Sequence, residues 1–597
     1  MAETVNPGQP EGAEADRRAA DFPAAAGRRE DDRLVHRLVE LGIALSAESN
    51  VDKLLEMILL EAKQIYNADG GTLYLTTEED DGLLFKIMRN DTLNIAKGGT
   101  TGEEINFPPI PLYSEQGVPN INNVATAVWH SKEVVNITDA YNADEYDFSG
   151  TVKFDESTGY RSMSFLTVPM INTDREVTGV LQLINARNAN GEIVPFDAEL
   201  QPMIEALTSQ AAVSVENQLL IAAQRRLWDS LIQMIAAAID DKSPYTGGHC
   251  QRVPEVTKML VGAACEATDG PFADFSLTDE EWYELHIAAW LHDCGKVTTP
   301  EYVVDKASKL ETIYNRIHEV RTRFEVLRRD AEIDCLKAQL AGEDKASAEA
   351  AFAERCGELD DQYRFVATAN VGGEFMEDED IDRLFSIGAQ PWTRYFDKAI
   401  GLSPLEQMRA DKFPPPPAPN VEALLADLQE HQVGKYNQGE LYNLAIKRGT
   451  LTSEERETIN DHIVVTIKML EQLPFPKKMR RIPEYAGGHH EKMDGTGYPR
   501  GLKKSEMSIP ARVMAIADIF EALTAADRPY KKAKTISESL KIMSFMCKDQ
   551  HIDADLFDLF LKSEIWKVYA DTYLDPSQVD EVDINDYRPP PEMLTTA

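Results

Sequence analysis

The sequence predicts an α+β multidomain chain: an antiparallel sheet domain flanked by helices, a long connector helix, and an all-α domain carrying a large, mostly helical insertion. Three observations carry that prediction. Apolar spacing is helical up to about residue 67, alternates as in strands over the next hundred residues, and becomes helical again from Phe196. From Phe196 to about Lys242 there is no Gly or Pro after Pro202, a run too long for an ordinary globular helix. From Tyr245 onward nearly every segment reads as helix, and 597 residues exceed what a single core can organise.

The elements follow in order. Residues 1–30 are rich in Ala, Gly, Pro, Glu and Arg without apolar periodicity, and are expected to be disordered. A helical pattern starts at Leu34. TLYLTTEEDDGLLFKIMRN then alternates like two strands around an acidic turn, and SFLTVPMINTDREVTGVLQLINAR continues the strands with Asn172, Thr173 and Asp174 as turn residues. The sheet domain is placed at 31–220 and the helical connector at 221–243, a length that suits a signalling connector or the coiled coil of a homodimer. The all-α domain falls in two blocks, 228–312 and 451–570, around an insertion at 313–450 with long charged helices, an acidic loop and the stiff run FPPPPAPN. Residues 571–597 are a C-terminal tail.

Composition narrows the function classes. With 61 basic against 101 acidic residues the formal charge is −40, which argues against a nucleic acid polymer as partner while leaving room for a small anion in a local basic pocket. No segment approaches the roughly 18 uninterrupted apolar residues of a membrane helix. The N-terminal stretch lacks the apolar core of a signal peptide, so a cytoplasmic chain without membrane insertion is expected. Six cysteines without a CxxC pair suggest neither a disulfide framework nor a zinc knuckle.

The chemistry concentrates in the helical blocks. Thr278 and Glu281 form a capping box at the start of DEEWYELHIAAWLHDCGK, where His292 falls on the apolar face, Asp293 follows, and Lys296 lies within one turn of both. A second helix, capped by Thr452 and Glu455, carries His462 at the edge of its core stripe. A third, IPARVMAIADIFEALT, holds Asp518 as a lone acid in an apolar run. Each residue alone reads as a hydrogen-bonded core group. Together, His249, His292, Asp293, His462, His489, His490 and Asp518 supply five imidazoles and two carboxylates, a set suited to a binuclear site for iron, manganese or another divalent ion. Such a site would best hydrolyse a phosphate ester.

In chain order, His249 with Arg252-Val253, LHDCGK, the isolated His462, HHEKMDGTGYP and ADIFEALTAADRPYKKAK resemble an HD-GYP phosphodiesterase domain over about 200 residues. The resemblance implies hydrolysis of cyclic di-GMP to pGpG, GMP or both. It implies two divalent metal ions, held by the seven residues above and bridged by Asp293, with Lys296 on the scissile phosphate. Arg528 and Lys531 match positions that contact the substrate, with an extra residue in LTAAD shifting their register. Gly497, Tyr498 and Pro499 match the loop beside the substrate pocket. Three departures stand out. Tyr245 replaces a glutamate that completes a third metal position in some members; Pro254 implies a late or kinked helix; and about 140 residues interrupt the domain, as a lid, an interaction arm or a neutral elaboration. A receptor that binds cyclic di-GMP without turnover, and an HD phosphohydrolase acting on another cyclic dinucleotide, remain open.

VKFDESTGYRSMSFLTVPMIN resembles a segment of cyclic-nucleotide-binding GAF domains. The resemblance implies a sensor domain, with Lys153, Phe154 and Asp155 at a pocket for a cyclic nucleotide or another small molecule, or else a GAF fold serving dimerisation alone. His286 is expected in the core.

Overall fold

The structure, a computed structural model, describes residues 42–44, 47, 48, 50–242, 248–373, 375–525 and 533–595. They form two compact units, 1–227 and 228–597. The expected disorder of 1–30 lies outside the described residues.

In the first unit, Asn50 accepts a hydrogen bond from the Lys53 amide and starts α1 (Val51–Tyr66), so the helical pattern beginning at Leu34 is broken there. Then come β1 (Ala68–Thr76), β2 (Gly82–Asn90), β3 (Ile95–Gly98), β4 (Ile110–Pro111), α2 (Val124–Ser131), β5 (Val135–Ile137), α3 (Ser149–Thr158), β6 (Phe165–Ile171), β7 (Val177–Arg187) and β8 (Ile193–Val194). The sheet runs β3-β2-β1-β7-β6-β5, with β4 on β2 and β8 on β7, every pair antiparallel. Alternation along the strands feeds two cores. Leu73 and Leu181 point into one with Leu54, Ile58, Ile204 and Leu207, while Tyr74 and Val180 enter another with Val124, Val128 and Phe165. Helix α4 spans Gln201–Asp240, shorter at its start than the expected Phe196–Lys242 because Ala198–Leu200 is a 3-10 turn.

The second unit takes in the end of α4, whose Ile232, Ala236 and Ile239 pack with Cys250, Ile287 and Tyr485. Next is α5, His249–Glu266. It begins at its first histidine and carries Pro254 inside, so the late start expected from Pro254 does not occur. The Thr278–Glu281 box caps α6 (Asp279–Leu291), followed by α7 (Glu301–Val304).

The insertion comprises α8 (Ile317–Leu340), α9 (Lys345–Val371), α10 (Asp378–Gly388), β9 (Pro391–Arg394), α11 (Pro404–Lys412), β10 (Asn420–Ala423) and α12 (Glu440–Leu444). The expected acidic loop is the start of α10, whose first turn takes Asp378, Glu379 and Asp380. Negative charge there complements the helix dipole. Val320, Phe324, Leu359, Val366, Leu384 and Leu444 give the insertion its own core. Its ends meet: the Lys309 ammonium donates to the Leu444 and Ile446 carbonyls at 2.9 and 2.7 Å, and Thr450 Oγ1 donates to the Lys306 carbonyl at 2.9 Å.

After it come α13 (Ser453–Glu471), α14 (Ile482–Gly487), α15 (Ile509–Thr524), α16 (Ile536–Lys548), α17 (Ala554–Lys562) and α18 (Ile565–Tyr573). The expected tail is no free tail. Gln578 Nε2 donates to the Thr524 and Lys534 carbonyls, Arg588 pairs with Asp558 at 2.7 Å, and the Thr595 amide donates to Asp555 at 2.8 Å.

Candidate metal centre

Helix ends deliver most of the ionisable groups. His249 opens α5, His292 caps the C-terminus of α6 and Asp293 follows it; His462 lies within α13, His489 and His490 in the turn after α14, and Asp518 within α15. The helix stops at Gly487, and close packing explains the two glycines at its end: a Cβ on Gly487 would lie 2.6 Å from Ile467 Cγ1, and one on Gly488 2.8 Å from Ala511 Cβ.

The imidazoles are oriented alike. Nδ1 of His292 meets the Ala289 carbonyl at 2.8 Å, that of His489 the Ala486 carbonyl at 2.7 Å, and that of His462 the Ile459 carbonyl. A ring that donates Nδ1–H to a carbonyl turns its Nε2 lone pair into the site. His249 Nδ1 meets Glu521 Oε2 at 2.5 Å instead, and Glu521 also accepts from Arg252 at 2.7 Å.

Two clusters result, one of His249, His292, Asp293 and Asp518, the other of Asp293, His462, His489 and His490. Asp293 belongs to both. Its Oδ2 lies 3.2 and 3.3 Å from Nε2 of His249 and His292, and its Oδ1 lies 3.1 Å from Nε2 of His462. His249 Nε2 is 3.3 Å from Asp518 Oδ1, and the facing Nε2 pairs His249–His292 and His462–His490 are each 3.3 Å apart.

Do these residues fit metal ions? Ligand atoms about 2.1 Å from one ion at tetrahedral or octahedral angles lie roughly 3.0–3.4 Å from each other, which is the spacing seen here. Moreover, Asp293 Oδ1 and His489 Nε2 are buried without a hydrogen-bond partner. Buried acceptors facing acceptors, with no proton between them, call for a cation. The donor set fits.

Electrostatics agree except at His249, where burial opposes charge but Glu521, Asp293 and Asp518 raise the imidazole well above its ordinary value. Burial works against charge on Asp293, but Lys296 and the histidines outweigh it and hold the carboxyl well below the usual carboxylate range. Burial likewise opposes charge on Asp518, and His249 and His489 overcome it, keeping it ionised. His489 is pushed well down by burial and by the neighbouring His490 and His292, and burial takes His490 down to about 4. Neutral imidazoles and ionised carboxylates are the ligand forms a divalent ion needs. Lys296 Nζ stands 2.5 Å from Asp293 Oδ2; burial would discharge it, but Asp293 and Asp518 hold it above its ordinary value.

A cavity of about 220 Å³ opens beside both clusters, lined among others by His249, Arg252, Lys296, His462, His490 and Tyr498. Tyr498 stacks on His490 with ring centres 4.9 Å apart. Glu491, 1% exposed, accepts from the Arg500 and Leu502 amides at 2.7 and 2.9 Å and thereby shapes the loop. Gly497 is required there, since a Cβ would sit 2.3 Å from the Lys492 nitrogen. Of the GYP trio, Tyr498 lines the cavity and Gly497 and Pro499 do not. Arg528, Lys531 and Tyr245 lie outside the described residues.

Sequence reasoning assigned no role to Glu521 or Glu491. Glu521 lies three residues after Asp518, hence on the same helix face, and that spacing was a usable signal. His286 is not a core group: its side chain is 39% exposed, 3.7 Å from Asp229.

In the first unit a cavity of about 260 Å³ is lined by Phe85, Arg89, Phe107, Phe154, Tyr160 and Gln182, among others. Of the expected pocket residues only Phe154 reaches it. Lys153 is exposed, and Asp155 is buried, accepting from the Ser162 amide, the Ser162 hydroxyl and Tyr141 OH, so it braces the loop after α3.

The GAF domain family model matches residues 50–215 and the HD domain family model residues 426–556. One segment of the chain thus matches the GAF domain model and another the HD domain model. The chain's relatives include 3'3'-cGAMP-specific phosphodiesterase 1 of Vibrio cholerae, 35% identical over 22% of this chain and 30% of that protein. 3'3'-cGAMP-specific phosphodiesterase 3 of the same organism is 41% identical over 19% of this chain and 23% of that one. A cyclic di-GMP phosphodiesterase of Thermotoga maritima is 34% identical over 24% and 37%. The matches span well under half the length of these relatives. The HD match begins at 426, inside the insertion, and takes in His462, His489, His490 and Asp518, while His249, His292 and Asp293 precede it. No helix among the described residues is long and apolar enough to cross a membrane.

Proposed function

We propose that this chain is a metal-dependent phosphodiesterase that hydrolyses cyclic di-GMP to pGpG, GMP or both, under control of its GAF domain in bacterial second-messenger signalling. The observation that supports it best is the pair of His/Asp clusters joined through Asp293, with Lys296 at the cavity. The set would hold two divalent ions, iron or manganese. When bound, such a pair supplies a nucleophile at neutral pH and clamps both oxygens of a phosphoryl displacement.

The chain's own residues do the rest. Asp293 spaces the two clusters. His249 and His292 on one side and His462 and His489 on the other are turned by their Nδ1 partners so that Nε2 faces the clusters, with Glu521 serving His249. Lys296, kept protonated by Asp293 and Asp518, meets the non-bridging phosphate oxygens as their charge grows. Tyr498 offers a ring beside the cavity for a base or ribose, within a loop fixed by Gly497, Pro499 and Glu491. Arg528 and Lys531 would take the remaining phosphate or guanine contacts. The GAF cavity would take a cyclic nucleotide or another small molecule.

A second substrate, 3'3'-cGAMP, is favoured by the names of two relatives. The test loads the purified chain with Mn(II) or Fe(II) and presents cyclic di-GMP and 3'3'-cGAMP in parallel, separating linear products by chromatography. Linear dinucleotide or mononucleotide from cyclic di-GMP is expected. Binding of both without any product would replace the enzyme by a receptor.

A further inference from the structure

Two polar side chains just before the first histidine of the site reach the two segments that carry its chemistry. Asp240 is the last residue of α4, and Lys242 follows it by two. Apolar packing of Ile232, Ala236 and Ile239 already holds this stretch within the second unit.

Helix α5 starts without a cap of its own, because its N-cap residue is Gly248, held at φ +83° and bearing no side chain. Asp240 supplies what is missing. Its Oδ2 accepts from the Gly248 amide at 3.1 Å and its Oδ1 faces the Cys250 amide at 3.5 Å, one on either side of His249. A buried carboxylate at that place satisfies amides that the first turn of a helix leaves without partners, and it complements the helix dipole.

Lys242 serves the other segment. Its Nζ donates to the Lys296 carbonyl at 3.0 Å and to the Val297 carbonyl at 2.5 Å, both in the 3-10 turn Cys294–Thr298 that follows Asp293. A cation on the last carbonyls of a turn fixes it as a cap fixes a helix end. On its other side the turn lies against α13: the Gly295 amide donates to Thr466 Oγ1 at 2.9 Å, and a Cβ on Gly295 would stand 1.9 Å from the His462 carbonyl oxygen. The main chain beneath Lys296 is thus held between the helix that bears His462 and the Lys242 ammonium.

We propose that Asp240 and Lys242 are positioning residues: Asp240 sets His249 into the cluster it shares with His292, Asp293 and Asp518, and Lys242 sets the main chain from which Lys296 reaches the substrate phosphate. The second half rests on the phosphodiesterase reading; the first concerns metal binding alone.

Chelator competition with Mn(II) on the full chain tests the first half. Asp240→Ala should weaken one of the two bound ions by about 10–100-fold, the range for residues that orient metal-binding histidines, and leave the other as in the wild type. Unchanged affinity for both ions, or equal loss of both, would overturn it. Calorimetric titration of the Mn(II)-loaded chain with inorganic phosphate tests the second half without needing turnover. Lys242→Met should weaken phosphate binding about tenfold, the order of a lost charge-assisted hydrogen bond, with metal content unchanged, and Lys242→Arg should restore it. A wild type that binds no phosphate, wild-type affinity in Lys242→Met, or no recovery in Lys242→Arg would overturn it. If the wild type hydrolyses no cyclic dinucleotide, the phosphodiesterase reading fails by itself and the phosphate titration still decides Lys242. Asp240→Asn and Lys242→Gln, close in size to the residues replaced, carry both tests should a truncated side chain prevent folding.

Discussion

Asp293 gives one oxygen to each histidine cluster, so its loss should be felt on both sides, while the loss of a histidine is felt on one. Asp293→Asn is expected to abolish turnover and to remove nearly all bound metal, whereas His490→Ala should leave about half the metal of the wild type, as measured by elemental analysis per chain. Equal metal content in the two variants would show that the carboxylate is not shared. Glu521 acts one step back, through His249 Nδ1 and Arg252. Outer partners of metal-binding histidines are typically worth about 10–100-fold in metal affinity, and Glu521→Gln should weaken Mn(II) binding by that order in a competition titration with a chelator, leaving the unfolding temperature of the metal-free protein within a few degrees. The ionisable groups themselves were legible because a lone acid or histidine in an apolar run stands out. Glu521 was not, because its meaning lies in a partner 272 residues away.

Helix starts were the most readable elements, since a capping box is written within four residues: Thr278 with Glu281 and Thr452 with Glu455 form theirs as the sequence implies. Elements shaped by distant neighbours read poorly. The glycines before His489 and His490 are demanded by Ile467 and Ala511, distant in sequence, and the β9–β10 pair is concealed by the 25 residues between its strands. The root of the insertion is a further case, because nothing local marks Lys309 as buried. It is 1% exposed, donates to two carbonyls, and burial lowers its ammonium from 10.5 to about 8. Below about pH 8 it is charged in both folded and unfolded chains, and the full burial penalty applies. Between 8 and 10.5 the folded chain releases its proton first, the unfolded chain binds more protons, and stability rises with pH. Relative to Lys309→Met, the wild type should therefore gain about 1–3 kcal/mol across that window, read from urea unfolding at several pH values. Parallel stability profiles would contradict it.

On the scale of the whole molecule, period changes along the chain located the sheet domain and the helical half, and the family resemblance located the break within the latter. The C-terminal strap escaped notice because its anchors, Gln578, Arg588 and Thr595, are polar residues in a segment without periodicity. Val582, Ile584, Tyr587 and Leu594 pack from it onto the main helical core. Truncation after Leu574 should destabilise the second unit by roughly 3–5 kcal/mol at about 1 kcal/mol per partly buried side chain, seen as a lower calorimetric transition with that of the first unit unmoved. The meeting of the insertion's two ends has a consequence in chain statistics. A flexible loop of about 140 residues would be dearer to close than a four-residue connection by ~3 kcal/mol. A segment with its own core and ends already held together at Lys306, Lys309, Leu444 and Thr450 is no longer flexible. To the helices on either side it is a short turn, and its length can grow or shrink without lengthening the path between His292 and His462.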